Sequence, residues 1–282
     1  MMPDIAKDNS LAIFELNQGN EAIAQAMLRK NAKKAPCCMT LNNLGVFYSQ
    51  YGMLIKNDKF RSAAKIGLKH LKKASLYGND WRNYVSTATA LWESGDISLA
   101  LEFLEKAYQI NKDSLIRYNI GACLFRMQKY EEAASAFKEL CSYKDIELIT
   151  RNGGQNPYII LAYCEERLSD KSKCIEYFQT YCNAWKEDLF DVFCLKYLCG
   201  MYKDALSESA ELLKEWYLTD TLLAMIVDCS LKVSLPEKSM AIPSEKRKIL
   251  DILKRNSVFR MQKIHEYSYL PPLICMYQFI SF

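Results

Sequence analysis

Residues 118–137 read Tyr118-Asn-Ile-Gly-Ala-Cys-Leu-Phe-Arg-Met-Gln-Lys-Tyr-Glu-Glu-Ala-Ala-Ser-Ala-Phe137, and this stretch decides the fold. It contains two short amphipathic helices joined by a polar turn near Gln128 and Lys129. Gly121 and Ala133 lie twelve residues apart, one on each helix. Small side chains at both places let two helix backbones approach closely, and Phe137 then fills the neighbouring groove.

The same offset recurs along the chain. Ala12 pairs with Ala24 and is followed by Leu28; Ala88 pairs with Ala100 and is followed by Leu104. Ala162 pairs with Cys174 and is followed by Phe178, and Phe193 with Ala205 keeps the spacing with a bulky partner. Gly19, Gly95 and Gly200 fall in the equivalent turns, where a helix has to stop within a residue or two. Ala100 and Ala133 are 33 residues apart, the length of one helix pair. Two intervals are longer. Ala133 to Cys174 is 41 residues, with the excess expected in the loop from Arg151 to Pro157. Gly45 to Gly67 is 22, which places about ten extra residues around Tyr51 to Arg61. Six helix pairs are predicted.

Composition agrees with this reading. The chain of 282 residues is 50% hydrophobic and 25% charged, a mixture that can bury a core. With 7 Pro and 10 Gly there is little material for the many tight turns of a strand-rich sandwich. A formal charge of +4 is too balanced to demand nucleic acid or an anionic membrane. The first residues, MMPDIAKDNS, lack the pattern of a secretory signal, and no apolar run reaches the roughly 20 residues that span a bilayer. Eleven cysteines in that setting read as reduced, mostly buried thiols of a cytoplasmic protein.

The pattern resembles the tetratricopeptide repeat family. Leu41, Leu44, Gly45 and Tyr48 match its first helix, and Ala24, Leu28 and Pro36 match its second helix and closing proline. Ile120, Gly121, Leu124, Tyr130, Ala133 and Phe137 give the fullest copy. The resemblance covers about residues 5–215. It implies an all-α fold, a right-handed α-solenoid of antiparallel helix pairs, acting as a protein-interaction scaffold. Residues 1–215 are assigned to the repeats, and residues 216–282 to a degenerate C-terminal repeat, a capping helix and an apolar tail. The capping helix starts near Pro243-Ser244 and runs to about Arg255, with Ile249, Leu250, Ile252 and Leu253 as one apolar stripe. The tail from Leu270 to Phe282 is expected to pack against the last helices; the alternative is a partner-binding or self-occluding peptide.

In this family the first helix of each pair lines the concave surface. Helical phase then gives a ladder of candidate groove residues: Asn42, Val46, Ser49, Arg82, Val85, Thr89, Trp92, Tyr118, Phe125, Arg126, Tyr163, Glu166, Phe190 and Tyr197. Aromatics with an arginine or two are the usual binding anchors. A subset of the family grips a peptide's terminal carboxylate with Lys, Asn and Arg at fixed positions. Asn43 matches one of these and Arg82 stands in the following repeat, while Asn9, Ile13 and Ser86 stand where other residues are required; one or two matches out of five make the clamp unexpected.

Little points to catalysis, and no cofactor or metal is expected. There are two histidines, His70 and His265, and His70 is placed on the surface by helical phase. No Cys-x-x-Cys pair occurs, and Gly153-Gly154 lacks the Lys-Ser/Thr of a phosphate loop. Glu131-Glu132 and Glu165-Glu166 read as solvated helix faces. An RNA-binding α-solenoid is a competing possibility, motivated by Arg29–Lys34 and Lys65–Lys73, but those basic residues fall mainly on second helices, away from the groove. A peptide-sensing regulatory subunit is another. The leading expectation is a peptide or partner segment bound in the concave groove, with nucleic acid disfavoured.

Overall fold

The structure is a computed structural model and describes residues 2–51, 60–184, 189–215, 220–233, 247–266 and 271–280. Among these residues there are sixteen α-helices and no strand. The chain divides into two units. The first comprises residues 1–128, 152–154 and 273–282, and the second residues 129–151 and 155–272.

The first unit contains α1 (Met2–Asn17), α2 (Glu21–Lys34), α3 (Cys38–Tyr51), α4 (Phe60–Ala74), α5 (Trp81–Glu93), α6 (Ile97–Ile110) and α7 (Ser114–Arg126). Its helices pack as antiparallel pairs α1/α2, α3/α4 and α5/α6. The second holds α8 (Tyr130–Lys138), α9 (Tyr143–Arg151), α10 (Pro157–Arg167), α11 (Lys171–Ala184), α12 (Leu189–Leu198), α13 (Tyr202–Glu215), α14 (Asp220–Lys232), α15 (Arg247–Arg255) and α16 (Ser257–Glu266).

Local chemistry sets the helix ends. Asp80, Asp113 and Asn156 cap α5, α7 and α10, each accepting a backbone N–H of the first turn at 2.8–3.0 Å. Pro157 opens α10, where a missing N–H costs nothing. The first helices stop on a left-handed residue: Gly19 at φ +81°, Gly95 at +86° and Gly200 at +76°. Each turn closes with the paired bonds of a Schellman motif, as in Asp96 N–H to Leu91 O and Gly95 N–H to Trp92 O, both 2.9 Å. Gln128 and Ser169 take the same conformation at φ +63° without being glycine.

The small-residue rule is visible in the packing. Ala12, Ala24, Ala88, Ala100, Ala162 and Ala205 have no exposed surface. Gly45 and Gly67 make the tightest approach: a Cβ on Gly45 would lie 2.7 Å from Leu71 Cγ, and one on Gly67 would lie 2.9 Å from the Gly45 carbonyl oxygen. Leu16, Leu28, Leu41, Leu44 and Phe47 fill the space around the first two pairs.

Several expectations are corrected. The excess between Ala133 and Cys174 is not in the loop before Pro157; it is a helix. α8 ends at Lys138, and Ser142 restarts the backbone as α9 by accepting the Asp145 N–H at 3.2 Å, with Ile146 and Ile149 buried. The apolar stripe of α15 is Leu250 and Leu253 with Ile249 packed at its edge, whereas Ile252 is 47% exposed. A further helix, α16, follows it behind Asn256, which caps the Phe259 N–H at 2.9 Å. His70 is half-buried, stacked on Tyr48 at 6.1 Å between ring centroids. Glu165 is buried, with Lys138 and Lys173 each at 3.9 Å, so the Glu165-Glu166 pair is only half solvated; Glu131 and Glu132 are exposed as expected. The insertion at 52–59 and the start of the helix at Pro243-Ser244 lie outside the described residues.

Candidate functional site

The interiors of α3, α5 and α7 carry an unusual load. Asn42, Asn43, Asn83, Ser86 and Asn119 are fully buried, and Thr89 nearly so. Buried amides and hydroxyls require partners. A helix satisfies its own backbone, so these side chains have to find other polar groups. All but Asn83 find them in residues 274–280, which carry no helix and lie across the three helices.

Asn119 receives the Ile274 N–H at 2.8 Å and donates to the Ile274 carbonyl at 2.9 Å. Thr89 accepts the Met276 N–H at 3.3 Å while its own hydroxyl donates to the Val85 carbonyl at 2.9 Å. Ser86 accepts the Gln278 N–H at 2.9 Å and donates to the Arg82 carbonyl at 2.8 Å. Asn42 donates to the Gln278 carbonyl at 2.8 Å. Asn43 takes both groups of Ile280, the N–H at 2.7 Å and the carbonyl at 2.9 Å. Asn83 stands behind this row and holds Asn42, donating to its Oδ1 at 3.2 Å and to the Leu71 carbonyl at 3.2 Å.

Every second residue of the tail is therefore gripped by its main chain, at 274, 276, 278 and 280. That is the period of a strand, and the helix side chains take the place of a neighbouring strand's edge. The dimensions agree. Passing from Asn119 on α7 to Asn43 on α3 takes six residues, about 20 Å when extended, and two steps between neighbouring helices at 8–10 Å each cover that distance. Ile274, Met276 and Ile280 are buried, Cys275 is exposed, and Tyr277 and Phe279 lie half-buried against Val46, Leu71 and Ala90. The Tyr277 hydroxyl donates to Glu93 at 2.6 Å; burial, together with that carboxylate, pushes its phenol pKa well up.

The tail thus departs from the expected packing on the last helices and occupies the first-helix surface of the first unit, the self-occluding alternative. Among the ladder residues, Asn42 and Thr89 hydrogen-bond its main chain and Val46 packs with its Tyr277 and Phe279. Ser49, Trp92 and Arg126 line an open cleft of about 1080 Å³ beside Cys275 and Tyr277, where the Arg126 guanidinium lies 5.1 Å from the Trp92 ring centre. Val46, Val85, Tyr118 and Phe125 are buried in the unit. Arg82 forms an ion pair with Asp80 at 2.7 Å. Burial alone would raise the Asp80 carboxyl pKa, but the Arg82 hydrogen bonds and charge bring it below its ordinary value. Tyr163, Glu166, Phe190 and Tyr197 belong to the second unit, where Tyr197 donates to Asp228 at 2.9 Å.

Four tail-binding or supporting residues stand outside the ladder: Asn43, Asn83, Ser86 and Asn119. A signal for three of them was present. Asn43, Ser86 and Asn119 each precede the small residue of their helix (Gly45, Ala88, Gly121) by two positions. They share one repeat position, a polar residue at a phase that should be core. Among the described residues no group of three or more His, Cys, Asp or Glu is arranged to hold a metal ion.

Residues 56–140, under half of the chain, match the family model of the anaphase-promoting complex, cyclosome, subunit 3. A tetratricopeptide repeat protein from Parabacteroides merdae is similar in structure at a TM-score of 0.60 and 16% identity, over 89% of this chain and 99% of that one. PilF from Pseudomonas aeruginosa is similar at a TM-score of 0.56 and 17% identity, over 82% of this chain and 98% of that one. No curated protein sequence matches the chain. The chain has the tetratricopeptide-repeat fold, an all-α solenoid of helix pairs, as the resemblance implied. That fold generally mediates protein–protein interaction through the surface its stacked helices present.

Proposed function

We propose that the protein is a non-catalytic interaction scaffold whose first-unit groove, walled by α3, α5 and α7, takes an extended segment of a partner protein. The observation that supports this is the row of main-chain contacts from Asn119 to Asn43. Side chains that read the backbone of an extended chain, residue by alternate residue, are suited to peptide capture and make no use of a cofactor. The eleven cysteines form no disulfide, in keeping with a cytoplasmic setting.

The test uses the full chain carrying Ile274→Asp and Ile280→Asp, which removes two buried apolar anchors of the resident tail. A labelled synthetic peptide of residues 271–282 is titrated in by fluorescence anisotropy. Saturable binding is expected, and N-methylation of the peptide at the Ile274 and Ile280 nitrogens should weaken it at least tenfold. Equal binding by the methylated peptide would show that the backbone is not what the groove reads.

A further inference from the structure

The tail fills the groove incompletely. Its main chain is held at four alternate residues, yet on the opposite side the cleft of about 1080 Å³ stays open next to Cys275. Leu68, Ala90 and Trp92 give that cleft an apolar wall, with Arg126 stacked over the indole. Cys275 is the most open of the cysteines, the others being buried or half-buried, and its side chain is too small to cover such a wall. The resident segment satisfies the backbone readers, and its Tyr277 and Phe279 pack at the Leu68 and Ala90 end of that wall, while the Trp92 end beside the small Cys275 still faces the open cleft.

We infer that the tail is a built-in competitor for the groove, and that the partner is a protein with an extended segment carrying apolar side chains where Ile274, Met276 and Ile280 sit and a large aromatic one where Cys275 sits. This rests on the groove being a site for extended segments. The segment runs in the tail's direction, N-terminal end at Asn119 and C-terminal end at Asn43, because Asn42 Nδ2 donates to Asn43 Oδ1 at 3.3 Å and so fixes which end of the Asn43 amide meets an N–H and which a C=O. Tail and partner need the same donors and acceptors, so the groove holds one of them at a time. The aromatic side chain gives the partner its advantage: it covers the Trp92 end of the wall and lies beside the Arg126 guanidinium, a favourable aromatic–cation geometry.

Two labelled peptides test this, residues 271–282 and the same peptide with Cys275→Trp, each titrated into the wild-type full chain and into the Ile274→Asp, Ile280→Asp full chain. Met276→Pro, which removes the N–H bonded to Thr89 without adding charge, provides a second tail-weakened protein should the first misfold by circular dichroism. Both peptides are expected to bind the tail-weakened protein at least tenfold tighter than wild type, and the tryptophan peptide several-fold tighter than the native one on either protein. Equal affinity for wild type and tail-weakened protein overturns the competition while leaving the groove reading intact. A tryptophan peptide no tighter than the native one overturns the partner chemistry. Binding of neither peptide to any protein overturns the groove reading itself. A wild-type chain whose mass in light scattering rises with concentration, and falls when the tail is weakened, overturns the inference in favour of tail exchange between two copies.

Discussion

Replacing Asn119 with alanine should release the tail. Asn119 is fully buried and provides both hydrogen bonds of the Ile274 main chain, at 2.8 and 2.9 Å. A buried backbone group left without a partner costs about 1–3 kcal/mol, so the pair is worth about 2–6 kcal/mol. The low end applies here, about 2–3 kcal/mol, because the neighbouring Cys275 is exposed and water can enter from that side. The docked tail has little to spare. Burial of Ile274, Met276 and Ile280, with the half-buried Tyr277 and Phe279, contributes about 8 kcal/mol. Eight hydrogen bonds to the tail contribute about 8 kcal/mol. Ordering ten residues costs about 15 kcal/mol. A further loss of 2–3 kcal/mol lowers the docking equilibrium constant about 30- to 150-fold, which leaves the tail mostly undocked. Hydrogen exchange read by mass spectrometry on the 271–280 segment measures it, with the α10–α11 segment of the second unit as the internal control. Protection should fall at Ile280 as well as at Ile274, since the segment is one drawn-out chain. Unchanged protection in Asn119→Ala, with helicity intact, would refute the zipper of asparagine contacts.

Three further outcomes are expected. Gly67→Ala gains about 1 kcal/mol of helix propensity but sets a Cβ 2.9 Å from the backbone atoms Gly45 O and Ser49 N, which cannot rotate away; it should lower stability by about 1–2 kcal/mol net, seen as a fall of several degrees in thermal melting. Asp228→Ala removes the carboxylate 3.3 Å from the buried Arg260 and 3.1 Å from Lys232, and should cost about 3–5 kcal/mol in urea unfolding. Burial first, then Lys73 and Lys69, hold the His70 imidazole pKa below its ordinary value of 6.5. The unfolded chain therefore takes up protons there before the folded one, so stability is full above about pH 6.5 and declines as the pH falls toward the lower folded value. The melting temperature should drop on acidification, and that component should vanish in His70→Phe, which keeps the stack on Tyr48.

The repeat was legible in the sequence because close helix pairing excludes side chains at fixed places, whatever else varies. Ala12 with Ala24, Ala88 with Ala100 and Gly45 with Gly67 all follow from that one steric demand. The extra helix α9 was not legible as such, since a nine-residue helix with two buried isoleucines has too short a period to separate from loop. The groove was half legible. Phase identified Asn42 and Thr89, but the emphasis on aromatics drew attention to Tyr118, which is buried, and away from Asn119 beside it. Recognition through backbone atoms leaves no trace in which residue types the bound segment places opposite each asparagine. Asn119 and Ile274 are 155 residues apart and Asn43 and Ile280 are 237 apart, beyond the reach of any local periodicity. The recurrence of Asn43, Ser86 and Asn119 at one repeat position is the trace such a site leaves.

The tail's place in the first unit has a consequence for synthesis. The helices of that unit are complete at residue 128, and the segment that fills their groove begins at residue 273, 273 − 128 = 145 residues later. At roughly 5–20 residues per second, ribosomal elongation leaves an interval of about 7–30 s. Helix pairs form in microseconds to milliseconds, so the groove is assembled and empty throughout that interval. A newborn chain offers its asparagines to other proteins before its own closing segment exists.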